Sequence, residues 1–350
     1  MKKTFIKFWA FILILALALP LYSCSDDSNT IVVCNWGEYI CDDEEYMDII
    51  AEFEKETGIN VIYTTAETNE SLYALMKAGS VNYDVIFPSD YMIEKMISEN
   101  MLKKINFDNI PNFSNISSNF VNPYYDPQNQ YSVPYFWGTV GIVYNSRLVS
   151  EPITGWDILW SDNYDSKIMM FNNPRDAFAI ALNKLGYSMN TTNENEIREA
   201  AAELQKQVWV FGMDEFFEKM PSESAVLAPY YAGDYLTVAA ENPDLKFYIP
   251  ESGTNIFNDA MCIPATSTKQ ELAEKFINFM LKAEVGKANT EYLGYSTPND
   301  AVLEILDEEI KNNKVAYPEI KDNWEYFRLL PENIEQLMQE LWIDIKNNNK

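Results

Sequence analysis

The chain has 350 residues, 26 Lys and Arg against 53 Asp and Glu, and a formal net charge of −27. So acidic a protein does not hold nucleic acid or an anionic lipid surface by electrostatics. There is no histidine, which removes the commonest general base, the Ser-His and Cys-His nucleophile pairs and most zinc sites, and argues against an enzyme.

Taken in chain order, residues 1–24 read as a targeting segment. Lys2, Lys3 and Lys7 precede an apolar stretch, Phe8 to Leu21, that is short for a bilayer span. Leu21-Tyr22-Ser23-Cys24 resembles a lipobox, so Cys24 is the expected lipidation site and residues 25–30 a polar tether. Tyr22 is unusual in that motif, and plain secretion is the alternative. The protein is expected outside the cytoplasmic membrane, anchored rather than spanning. Of the remaining cysteines, Cys34 and Cys262 lie in apolar runs as small buried residues, and a Cys34–Cys41 bridge stays open.

Ile31 to Val33 reads as a buried strand, and Glu44 to Thr57 as a helix stopped by Gly58. Asn60 to Tyr63 is a second strand, followed by a helix capped by Ser71 and a third strand from Tyr83 to Phe87. Strands alternating with helices imply a parallel sheet with right-handed crossovers. Residues 112–130 are rich in Asn, Pro, Ser and Tyr and read as loop, and Tyr131 to Tyr144 as an extended segment crossing into a second lobe. There the pattern repeats: a strand over 167–171, a helix opened by Pro174 and closed by Gly186, a strand over 225–230, a helix to Ala240 and a strand over 245–249. Apolar residues over 260–263 return the chain to the first lobe. Residues 275–282 and 334–345 carry helical stripes that read as core packing.

Residues just past the carboxyl ends of strands line the crevice of an α/β protein. Aromatic rings and carboxylates recur at those junctions: Trp36, Glu38 and Tyr39; Asp90 and Tyr91; Asp176; Tyr231 and Asp234; Phe257 and Asp259; Tyr295. Ring faces and negative charge both attract a cation. An extended cation with charged ends and an apolar stem, such as a linear alkyl diamine or polyamine, suits such a lining.

The motifs Asn35-Trp36-Gly37-Glu38-Tyr39, Tyr83-Asp84-Val85-Ile86-Phe87-Pro88-Ser89, Tyr131-Ser132-Val133-Pro134-Tyr135, Lys184-Leu185-Gly186-Tyr187-Ser188 and Gly294-Tyr295-Ser296-Thr297-Pro298-Asn299 occur in this order. Together they resemble the bacterial spermidine/putrescine-binding proteins, the extracytoplasmic solute receptors of polyamine ABC transporters. The resemblance runs from about Ile31 to Trp342. It implies a type II periplasmic-binding-protein fold: two α/β lobes joined by a hinge, closing on ligand held in the cleft between them. Lobe 1 is expected from 31–136 and 259–303, and lobe 2 from 137–258 and 304–350. By motif, Trp36 and Tyr39 stack on the ligand, Glu38 and Ser89 accept hydrogen bonds, and Tyr91 lines its chain. Asp176 takes one amine and Asp259 is the principal acidic anchor, with Phe257 and Tyr295 as walls. Asn173 stands where spermidine binders often carry an acid, Tyr231 and Phe257 where they carry Trp, and Asp234 where they carry Ser. These departures lean toward putrescine and keep spermidine open. Arg328 falls near the family's C-terminal contact. The resemblance implies no cofactor, a monomer, and permease and ATPase subunits as partners. The alternatives are a receptor for another organic cation, a metal site of clustered carboxylates, and a hydrolase working with paired carboxylates.

Overall fold

The computed structural model describes residues 27–349. The targeting segment and Cys24 lie outside them. Among the described residues no helix is long and apolar enough to cross a membrane.

Among the described residues, nine strands build the fold. They are β1 (Thr30–Trp36), β2 (Asn60–Ala66), β3 (Val85–Ile86), β4 (Ser132–Asn145), β5 (Met169–Phe171), β6 (Val210–Gly212), β7 (Leu227–Tyr231), β8 (Leu245–Tyr248) and β9 (Ile256–Cys262). β1 pairs in parallel with β2 on one side and β3 on the other. The helices Ile49–Thr57 and Asn69–Ala78 make the crossovers, the arrangement that strand–helix alternation implies. β9 closes this sheet antiparallel to β3.

β4 carries the chain between lobes. Its 14 residues are nearly all buried, as a strand covered on both faces requires. Ser132–Thr139 pairs with β9, with an irregularity at Pro134–Phe136, whereas the Val140–Asn145 end pairs with β7 and β8. β5 and β6 pair in parallel, and the bridge between Ile168 and Leu227 sets them beside β7.

The apolar side chains divide accordingly. One core joins Val140 to Leu245 with Leu330 and with Ile334 to Ile345 of the C-terminal helix, Glu332–Asn348. A second joins Ile31, Phe53, Val85, Phe136, Met261 and Phe276. A third lies on the other face of the first sheet, around Cys34, Tyr91, Met96 and Cys262. Phe327 packs in this third cluster, and Trp324 packs with Trp137 and Ile256, so residues 324–327 form a further link across the lobes. Cys34, Cys41 and Cys262 are buried and unbridged.

Local chemistry moves some boundaries. The first helix begins at Ile49 rather than Glu44, because Asp48 accepts from Ala51 N at 2.9 Å and caps it. The second begins after Thr68, not Ser71. Both hydroxyls take part in one capping box, with Thr68 as the cap. Pro174 and Gly186 bound the helix Pro174–Leu185 as expected, and Gly186 adopts the left-handed conformation at φ 76°. The helices Glu194–Leu204 and Ala283–Leu293 were not anticipated.

Candidate binding cavity

The strand ends of both lobes converge on a narrow cavity of about 100 Å³. From the first lobe, Trp36 ends β1, and Tyr39 follows in a turn that turns its ring inward. Its hydroxyl donates to Asp259 Oδ2 at 2.8 Å, and Tyr295 stands edge-on to the ring at 4.7 Å. Ser89 precedes the helix Asp90–Ser98 but makes no side-chain cap. Its hydroxyl instead accepts from Asn69 Nδ2 at 3.0 Å, and its backbone bridges to that of Asp259. The Tyr91 hydroxyl donates to Glu70 Oε1 at 2.8 Å.

From the second lobe, Asn173 caps the helix beginning at Pro174. Its Oδ1 accepts from Arg175 N at 2.8 Å, and its Nδ2 donates to Asp176 Oδ2 at 2.7 Å. The Tyr231 hydroxyl donates to the same oxygen at 3.4 Å. Tyr231 ends β7, and its ring lies 5.4 Å from that of Phe257 on β9. Asp234 sits in the first turn of the helix Ala232–Glu241. Gly233 is required here: a Cβ would fall 2.3 Å from the Tyr295 ring.

Eleven of the thirteen candidate side chains therefore line one cavity. Glu38 and Arg328 do not. Glu38 takes a left-handed conformation at φ 47° and is exposed, outside the cavity lining. Arg328 is exposed, its guanidinium stacked 3.6 Å from the Tyr124 ring centroid. Its neighbour Phe327 faces the cavity instead. Asn69, Asp90, Asp214 and Phe217 also line it and were not singled out as ligands. Asp90 was visible as part of the strand-end pattern, whereas Asp214 follows β6, which is too short to carry a period.

The electrostatics are one-sided. Asp176, Asp234 and Asp259 are each less than a tenth exposed, and among the described residues no Lys or Arg forms an ion pair with them. Burial raises all three. Burial pushes Asp259 up to about 6, with the nearby Ser89 and Tyr39 hydroxyls opposing it. Asp176 reaches about 7, with Glu70 adding to burial and Arg175 opposing it. Asp234 reaches about 8, raised further by Asp214, Glu38 and Asp259. Arg175, the nearest cation, turns away: it donates to Met189 O, Asn190 Oδ1 and Arg328 O and packs 4.4 Å from the Phe327 ring centroid. An ammonium with several N–H donors would supply both the charge and the donors this wall lacks. Among the described residues no three acidic or cysteine side chains converge as a metal ion requires.

The lobes are held together outside the cavity. Lys95 of the first pairs with Glu335 of the C-terminal helix, and Leu329 N donates to Glu94 Oε2 at 3.1 Å.

Residues 80–323 match the model of the bacterial extracellular solute-binding protein family, and residues 1–122 match a hypothetical lipoprotein family. The chain is 36% identical over 310 residues to the spermidine/putrescine-binding periplasmic protein of Escherichia coli, covering 87% of this chain and 88% of that one. It superposes at a TM-score of 0.75 and 36% identity on the spermidine/putrescine ABC transporter substrate-binding protein PotD of Streptococcus pneumoniae, covering 92% of this chain and 100% of that chain. A lipoprotein of Treponema pallidum, 24% identical, shares the fold at a TM-score of 0.79, covering 90% of this chain and 99% of that chain. Two α/β lobes around a shared cavity, the family match and these likenesses agree: the chain belongs to the bacterial extracellular solute-binding proteins, in the branch of the spermidine/putrescine-binding periplasmic proteins.

Proposed function

We propose that this protein captures a polyamine, putrescine or spermidine, outside the cytoplasm and delivers it to the permease and ATPase subunits of an ABC transporter. The observation that carries this reading is the set of three buried carboxyls, Asp176, Asp234 and Asp259, interleaved with rings and, among the described residues, in no ion pair with a Lys or Arg. Carboxylates at separate points of a narrow cavity take up the charged ends of a linear amine. Trp36, Tyr39, Tyr231, Phe257 and Tyr295 flank its methylenes, each cation–π contact contributing about 0.5–2 kcal/mol. Closure brings the lobe of 31–136 and 259–303 onto the lobe of 137–258 and 304–350, and the ligand favours the closed form because only there do both lobes contact it. The lipidated Cys24 tethers the monomer to the membrane, a reading supported by the lipoprotein family match.

Thermal melting with putrescine, cadaverine, spermidine and glycine betaine tests this. A ligand at a hundred times its Kd stabilises by about 2.7 kcal/mol, so at least one polyamine raises Tm by several degrees and glycine betaine does not. A shift with glycine betaine alone would favour a receptor for quaternary amines. No shift with any polyamine would refute the proposal.

A further inference from the structure

Asp90 is fully buried, 0% exposed, yet lines the cavity. Its Oδ1 accepts from Tyr91 N at 2.7 Å and its Oδ2 from Asn258 N at 3.3 Å. It thereby ties two segments that carry the candidate ligands: residues 89–91, with Ser89 and Tyr91, and β9, with Phe257 and Asp259. The segments are already adjacent, since Ala260 N donates to Pro88 O at 3.1 Å. A neutral side chain could accept those two backbone N–H groups. A carboxyl adds charge beside another acid in a buried wall. Asp259, 4% exposed in the same wall, has an Oδ1 with no hydrogen-bond partner among the described residues.

We propose that Asp90 is a further specificity-determining residue of this cavity, supplying with Asp259 a two-carboxyl counter-charge for one primary ammonium of the ligand. The proposal rests on the amine-binding reading above. Two neighbouring buried carboxyls do not both ionise readily, so without ligand the pair retains a proton. The arriving ammonium, already protonated, stabilises both carboxylates, and the retained proton leaves to solvent. Burial and the Asp259 charge raise Asp90, while the two backbone N–H groups and Arg175 oppose them. The other titratable groups facing Asp90 are Tyr124 and Tyr125 of the long loop and Tyr326 of the lobe-linking segment. These are phenols that stay neutral across the working range, because burial raises each of them. Asp176 and Asp234, which are coupled to Asp259 across the cavity, also respond to protons, so the contribution of Asp90 is the difference between the parent and its Asp90 variants.

The test is calorimetric titration of the purified protein with putrescine and spermidine in two buffers of different ionisation enthalpy, from about pH 5.5 to about pH 8.5. Asp90→Asn and Asp90→Thr are compared with the parent, and thermal melting reports their folding. The parent releases protons on binding. Both variants lose affinity by about tenfold or more, as removal of one charge partner of a buried ammonium requires, and release fewer protons with a flatter pH profile. A role confined to tying the two segments would lower affinity equally at every pH and leave proton release unchanged, and that result overturns the proposal. So does affinity within twofold of the parent in a folded variant. Failure of the parent to bind either amine would instead overturn the amine reading, and this inference with it.

Discussion

Replacing Asp259 by Asn separates what this carboxyl does for binding from what it does to the fold. Asp259 is held at about 6, against an ordinary 3.8, by burial. Between those values the folded protein keeps a proton that the unfolded chain gives up. Ligand-free stability therefore falls as pH rises through that window. Above it, the ionised carboxylate costs the fold about 3 kcal/mol, at about 1.4 kcal/mol per pKa unit. Asn removes that cost and keeps an acceptor for the Tyr39 hydroxyl, which now donates to Oδ2 at 2.8 Å. At about pH 7.5 the ligand-free variant should be more stable than the parent by up to about 3 kcal/mol, several degrees in Tm. Its affinity should fall by about two to four orders of magnitude, because an ammonium left without its buried carboxylate costs about 3–5 kcal/mol. Differential scanning calorimetry with and without putrescine and spermidine reads both effects. A variant that melts below the parent when ligand-free, and still gains the full ligand-induced shift, would refute the reasoning.

Affinity should rise with pH from about 6 to about 8.5 while the amine stays protonated, since Asp176 at about 7 and Asp234 at about 8 must lose protons to pair it. A flat profile by titration calorimetry would count against their role. Lys95→Met breaks the ion pair to Glu335 between the lobes. This partly exposed pair contributes about 0.5–1 kcal/mol, so ligand dissociation measured by stopped flow should quicken about two- to fivefold with little change in association. Gly233→Ala places a Cβ 2.3 Å from the Tyr295 ring. Overpacking there should cost about 1–3 kcal/mol and weaken amine binding, whereas an unchanged Kd and Tm would show that the wall yields freely.

Much of this organisation is legible in the sequence because it rests on short-range chemistry. Gly58 and Gly186 end their helices through a left-handed conformation that glycine adopts without steric cost. Pro174 opens its helix where a missing N–H loses nothing. Aromatic and acidic residues at or just after strand ends were enough to indicate Trp36, Tyr39, Asp176 and Tyr231 as cavity lining, whereas Asp259 lies within β9 rather than past its end. What was not legible depends on direction or on distant partners. Thr68 and Ser71 are both good capping residues, and only the assembled turn decides between them. The helix Glu194–Leu204 buries two alanines beside Ile197 and Leu204, too weak a stripe to stand out. Glu38 sits at a positive φ that its sequence does not announce. In the aperiodic stretch around Phe327 and Arg328, no pattern tells which neighbour faces inward.

The most direct test of the central claim is a crystal structure of the protein grown with putrescine, repeated with spermidine. The account predicts a linear amine lying in the cavity between the lobes, one ammonium within hydrogen-bond distance of Asp259, another meeting Asp176 or Asp234, and its methylenes between the rings of Trp36, Tyr231, Phe257 and Tyr295. An amine bound elsewhere, or one in the cavity that touches none of the three carboxylates, would contradict it.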